Sequence, residues 1–149
     1  MGMILPINKY NDSTQLKILK TPCSRNNIND AITFAADLLE TAKSHSNCAG
    51  LASNQLWATA EQPAPHVFVA YVRGGWKVFI HANSQRSGKR IPFEEGCMSK
   101  PGYTKKIIRR EILTISYYDI KGEYKKEVYR GIEAIVLQHE LDHMNGTLI

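Results

Sequence analysis

The chain has 149 residues, 43% hydrophobic and 22% charged, with a net charge of +5. That length gives one domain, here expected to span residues 1–149, with a buried core, and the composition excludes fibrous and disordered classes. No apolar run reaches the ~20 residues of a membrane helix, MGMILPINKY holds neither a secretory leader nor a myristoylation signal, and three cysteines suit a reducing compartment.

In chain order, Ile28, Ile32, Ala35, Ala36, Leu39 and Ala42 recur at helical spacing and predict a helix from Ile28 to Lys43. Asn27 caps it and Asp30 sits in its first turn. HVFVAYVR and WKVFIHA, from His66 to Ala82, predict a hairpin through Gly74-Gly75. ILTISYY (from Ile112) and YKKEVY (from Tyr124) predict two more strands, joined by the turn Asp119 to Glu123. These are antiparallel signals, so the expected class is α+β: antiparallel sheets around a buried helix, with another helix toward the N-terminus. Lys105-Lys106, Arg109-Arg110 and Lys125-Lys126 read as a solvated strand face rather than a specific nucleic-acid site. The net charge also suits weak attraction to an anionic assembly such as a ribosome.

The last element, GIEAIVLQHELDHM from Gly131, is apolar around most of its circumference, which predicts a helix buried on nearly all sides and ended by Asn145-Gly146. Two histidines with Glu140 and Asp142 beside them on such a helix need a reason. His139 and His143 stand one turn apart on one face, in an H-E-x-x-H pattern that lets both reach one metal ion, while Glu140 is placed to touch water beside it. A catalytic site of this kind takes three protein ligands. Only Met144–Ile149 follow, none a good ligand, so the third comes from upstream: Cys97, His66, His81, His45 or a carboxylate. Cys97 stands out within Glu95-Gly96-Cys97-Met98-Ser99, because a thiolate binds a soft divalent ion well and glycine admits close backbone approach. The same helix face carries Ile132, Ile135 and Val136, expected to form an apolar slot beside the metal.

Three segments together, CAGLASNQ (Cys48–Gln55), EGCMS (Glu95–Ser99) and QHELDH (Gln138–His143), resemble in order and spacing the three motifs of the peptide deformylases. The resemblance covers nearly the whole chain. It implies a hydrolase that removes the N-formyl group from the formyl-methionine of nascent proteins and releases formate. It implies one divalent ion on Cys97, His139 and His143, with Fe(II) the native metal and Zn(II), Ni(II) or Co(II) compatible with the donors. Glu140 then moves the proton, and the Gln55 side-chain amide and Met98 backbone N–H bind the oxyanion. The peptide lies extended along Ala49, Gly50 and Gly96, with its methionine in the slot of Ile132, Ile135 and Val136. Glu95 and Arg109 form a supporting pair, and Asp142 orients a ligand histidine or pairs with an arginine.

This chain departs from the pattern at Cys48 (glycine in the family), Ser53 (alanine) and Met98 (leucine). It is expected to be a short form without a C-terminal helix, monomeric, and cytoplasmic in a bacterium or a phage-infected host, with an organelle as the other setting. A metallopeptidase with another upstream ligand and a non-catalytic metal-binding module are the competing readings.

Overall fold

A computed structural model describes residues 2–149. After an extended N-terminal arm, Asp12 accepts a hydrogen bond from the Gln15 N–H and starts α1 (Ser13–Lys20). This helix has no counterpart among the predicted elements, because it buries only Ile18 and Leu19, too few to set a period. Helix α2 (Ile28–Lys43) has the predicted bounds, with Asn27 Oδ1 accepting from the N–H groups of Asn29 and Asp30.

Strand β1 (Gly50–Ala52) leads into a short 3-10 turn (Ser53–Gln55) and then β2 (Val67–Val72). β2 pairs with β3 (Gly75–Cys97), Val72 facing Gly75, so the hairpin turns at Arg73-Gly74, one residue earlier than expected. Both turn residues are left-handed (φ 52° and 77°), as the tight turn matching strand twist requires, and Gly75 is already paired. β3 and β4 (Lys100–Tyr118) form a far longer hairpin than the two predicted strands suggest. The middle of β3, Asn83 to Arg90, is exposed throughout, so no alternation marks it. Pro92 fits beyond it because β3 has no second neighbour beyond Ile80 to receive its missing N–H.

With β5 (Tyr124–Arg130), the strands make one antiparallel meander in chain order, where several sheets were expected. Register shifts at Ile80/Asn83, Ser87/Arg90 and Gly96/Cys97 bend β3 against β4, so one pair of long strands serves both ends of the sheet. Phe68, Ala70 and Val72 pack on one face with Ala134, Leu137 and Leu141 of α3 (Gly131–Met144). Val67 and Val69 face the other way, onto Ala31, Ala35 and Leu38 of α2. The sheet is thus packed between two helices, and β5 runs into α3 through Gly131 (φ 65°).

Helix α3 is buried from Ala134 onward but not in its first turn. Ile132 is 66% exposed, so the expectation of a helix buried on nearly all sides fails at its first turn.

Candidate metal centre

Three elements deliver the site. β3 ends on Cys97, α3 presents His139, Glu140 and His143, and the turn after β1 carries Gln55. The Cys97 sulfur and one ring nitrogen from each histidine lie within 4.8 Å of one another, and Cys97 Sγ is 3.5 Å from His143 Nε2. A metal with sulfur at ~2.3 Å and nitrogen at ~2.0 Å in tetrahedral directions sets those two atoms about 3.5 Å apart, so the donor set fits a divalent ion. Among the described residues no other three cysteine, histidine or carboxylate side chains converge this way; of the upstream candidates, Cys97 is the one placed beside the two helix histidines.

The ligands are held from behind. His139 Nδ1 is 2.9 Å from Glu95 Oε1. Arg109 in turn donates to both Glu95 oxygens, at 2.6 and 2.7 Å, and to Asp142 Oδ2 at 2.5 Å. Arg86 adds a bond to Asp142 Oδ1 at 2.7 Å. Glu95 and Arg109 are both nearly fully buried, so neither is tolerable there without the other. Burial opposes charge on Glu95, but the bonds from Arg109 and His139 outweigh it and hold the carboxyl down at about 2. Burial also pulls His139 down, yet its contacts with Cys97 and Glu95 raise it to about 10; a cation on this cluster displaces that proton. Burial, with His139 and Arg109 nearby, drives His143 well below its ordinary value, which keeps its ring neutral for ligation. Arg109, grouped with the solvated basic residues by charge pattern but paired with Glu95 by the motif resemblance, is an interior ion-pair partner of Glu95 and Asp142.

Glu140 is 3% exposed, its Oε1 has no hydrogen-bond partner, and burial raises its pKa to about 7. Its Oε2 lies where a Cβ on Gly50 would stand only 2.7 Å away, so the glycine of the first motif makes room for this carboxylate. Gln55 Oε1 accepts from the Ala52 N–H at 2.9 Å, which turns its Nε2 toward Ser99 Oγ (3.1 Å) and Cys97 Sγ (3.5 Å).

A cavity of about 570 Å³ opens over these groups. Ala49, Gly50, Gly96 and Met98 lie along it, and Ile135 and Val136 form its apolar wall. Ile132 does not reach it. It shares the angular position of His139 but lies two turns away, about 10 Å along the axis, which corrects its place in the slot. Cys48 also lines the cavity, with its thiol donating to the Gly50 carbonyl at 3.2 Å.

Two supporting residues escaped the sequence reading. Asn54 Nδ2 donates to the His143 carbonyl at 2.6 Å and the Leu19 carbonyl at 3.3 Å. Gln138 is fully buried and bonds both the N–H and the carbonyl of Arg110, pinning α3 to β4. The signal for Gln138 was available: it is one more polar residue on an apolar helix.

The polypeptide deformylase family matches residues 4–149. A peptide deformylase of Flavobacterium psychrophilum is 40% identical over 80 residues, covering 53% of this chain and 41% of that protein. One of Chlorobium luteolum is 31% identical over 151 residues, covering 98% of this chain and 76% of that protein. The crystal structure of a Synechococcus elongatus peptide deformylase in complex with actinonin superposes with a TM-score of 0.82 at 28% identity, covering 97% of this chain and 75% of that one. A family match across almost the entire chain, together with a thiol and two helix histidines converging beside a buried glutamate, places this protein in the peptide deformylase family.

Proposed function

We propose that this chain, residues 1–149 acting as one catalytic domain, hydrolyses the N-formyl group of formyl-methionyl nascent peptides to formate and a free amine. The observation that carries the reading is the convergence of Cys97, His139 and His143 beside the buried Glu140, on a cavity that Gln55 also lines.

Cys97 as thiolate and the two histidines as neutral rings would hold one divalent ion. Fe(II) is the proposed native metal; Zn(II), Ni(II) and Co(II) suit the same donors. The bound ion supplies Lewis-acid activation of water and of the formyl carbonyl. Glu140 accepts the proton from the attacking water and passes it to the leaving amine nitrogen. Its free Oε1 and its burial suit that role. Gln55 Nε2 and the Met98 N–H donate to the carbonyl oxygen as its charge develops. The outer edge of β1 (its other edge pairs with β2) gives an extended peptide backbone partners around Ala49 and Gly50, and Gly96 of β3 lines the same cavity. Ile135 and Val136 would bury the methionine side chain.

On this reading the enzyme works as a monomer in the cytoplasm of a bacterium or phage-infected cell, or in an organelle, with at most a weak attraction to the ribosome. No helix among the described residues is long and apolar enough to cross a membrane. The test is formate release from formyl-Met-Ala-Ser after anaerobic Fe(II) loading. Cleavage of internal peptide bonds without formate would favour the metallopeptidase reading. Metal uptake with neither product would favour the binding module.

A further inference from the structure

Both groups assigned to the oxyanion sit on short turns, Gln55 after β1 and Met98 between β3 and β4. Neither turn is fixed to the other by the sheet: β1 pairs only with β2, and Cys97 pairs with Lys100 within its own hairpin. The N-terminal arm joins them. The Asn8 N–H donates to the Gln55 carbonyl at 2.6 Å, and Asn8 Nδ2 donates to the carbonyls of Asn54 (2.8 Å) and Trp57 (2.9 Å). One residue on, Lys9 Nζ reaches the Met98 carbonyl at 3.3 Å. The Tyr10 N–H then donates to the Ser99 carbonyl at 3.0 Å.

Three consecutive residues thus hold the carbonyls of both turns. The arm is itself anchored. Ile7 is buried against α2 and β3, and the Lys9 N–H donates to Gln15 Oε1 of α1 at 2.7 Å. Lys9 also lines the cavity.

The geometry points to Asn8-Lys9-Tyr10 as a clasp that sets the spacing of the two oxyanion donors, with Lys9 a positioning residue for the Met98 turn. The inference rests on the deformylase reading for its kinetic consequence and on these hydrogen bonds alone for its structural one. Electrostatic stabilisation depends on donors fixed before the reaction, and a displacement of about 1 Å costs up to ~10²-fold in rate. Ground-state binding of the peptide does not use this spacing, so the effect falls on kcat.

Asn8→Ala strips the partner from two carbonyls and lowers stability as well as activity, so Lys9 carries the test. Lys9→Leu removes the Nζ bond at the edge of the arm and lowers Tm by no more than about 4 °C. Its kcat on formyl-Met-Ala-Ser is expected to fall about tenfold with KM and metal content unchanged, and Lys9→Arg to restore it. A second readout needs no turnover. The protein has four methionines, so ¹⁵N-methionine labelling isolates the Met98 amide, whose resonance should move in Lys9→Leu while those of Met3 and Met144 stay. Wild-type kcat with an unmoved Met98 resonance overturns the clasp. A wild-type protein that releases no formate instead removes the deformylase reading, and the Met98 resonance alone then decides whether the clasp exists.

Discussion

The molecule holds two pairs of neighbouring histidines, and only one converges with a thiol into a donor set that fits a cation. His139 and His143 have ring centroids 5.0 Å apart; His66 and His81 are 6.1 Å apart, edge to face in both cases. Distance and burial hardly distinguish them. The surroundings do. The first pair faces the Cys97 sulfur, and Glu95 braces His139 from behind. The second has Arg25 beside it and no thiol or carboxylate; His66 Nδ1 and His81 Nε2 have no partners. Burial and the guanidinium charge push His66 down to about 3 and also lower His81. A cation would add to that repulsion. A metal site therefore needs a convergent anion and a braced ring, not merely two rings in proximity.

The largest effect expected from breaking this comparison is at the anion. Cys97→Ala should abolish stoichiometric metal binding, read by elemental analysis, and with it formate release, whereas His66→Gln and His81→Gln should each keep one ion per chain. Full occupancy in Cys97→Ala would return the third ligand to another group. Next is Glu140→Gln, which keeps the donors and removes the proton acceptor: turnover should drop by at least ~10²-fold with the metal retained. Unchanged turnover would assign the proton transfer elsewhere.

The brace comes third. Glu95→Gln should weaken metal affinity by ~10–100-fold, measured by competition with a chelator, while Arg109→Met, leaving buried Glu95 without its guanidinium partner, should cost about 3–5 kcal/mol in urea unfolding. If Glu95→Gln binds metal as tightly as the parent, the carboxylate is structural only.

The smallest effect tests the other pair. The His66 pKa is lower folded than unfolded, so between about 3 and ~6.5 the unfolded chain carries the extra proton. Stability from this group is full above pH ~6.5 and is lost as pH falls toward 3, by up to about 1.4 kcal/mol per unit. Between pH 6.5 and 4.5 the parent should lose about 2 kcal/mol more than His66→Gln, read from urea midpoints at each pH. Parallel pH profiles would mean that His66 is not held neutral by its surroundings.

Local pattern made some of this protein legible in the sequence. Helix α2 announces itself through a four-turn apolar stripe and the Asn27 cap, and the strands of β2, β4 and β5 through β-branched and aromatic runs. On α3 the His139–His143 spacing is fixed by helix geometry alone, so both rings share a face before any fold is known. The third ligand was narrowed by elimination, since nothing after Met144 can serve.

Tertiary structure decided what depends on where an element ends up. Ile132 and Ile135 are alike in type and share a helix face, yet one is solvent-exposed and the other walls the cavity, a difference in surroundings that residue type and spacing do not carry. The polar middle of β3, Asn83 to Arg90, carries no period, and only cross-strand pairing with β4 defines it as a strand. Charge pattern alone does not separate Arg109 from Arg110; the motif resemblance pairs Arg109 with Glu95, and the fold buries it where Glu95 and Asp142 arrive from β3 and α3. Asn8 and Lys9 leave no periodic signal, because what they do is join two turns 46 to 89 residues away, and contacts at that separation are created by the fold rather than by the local chain.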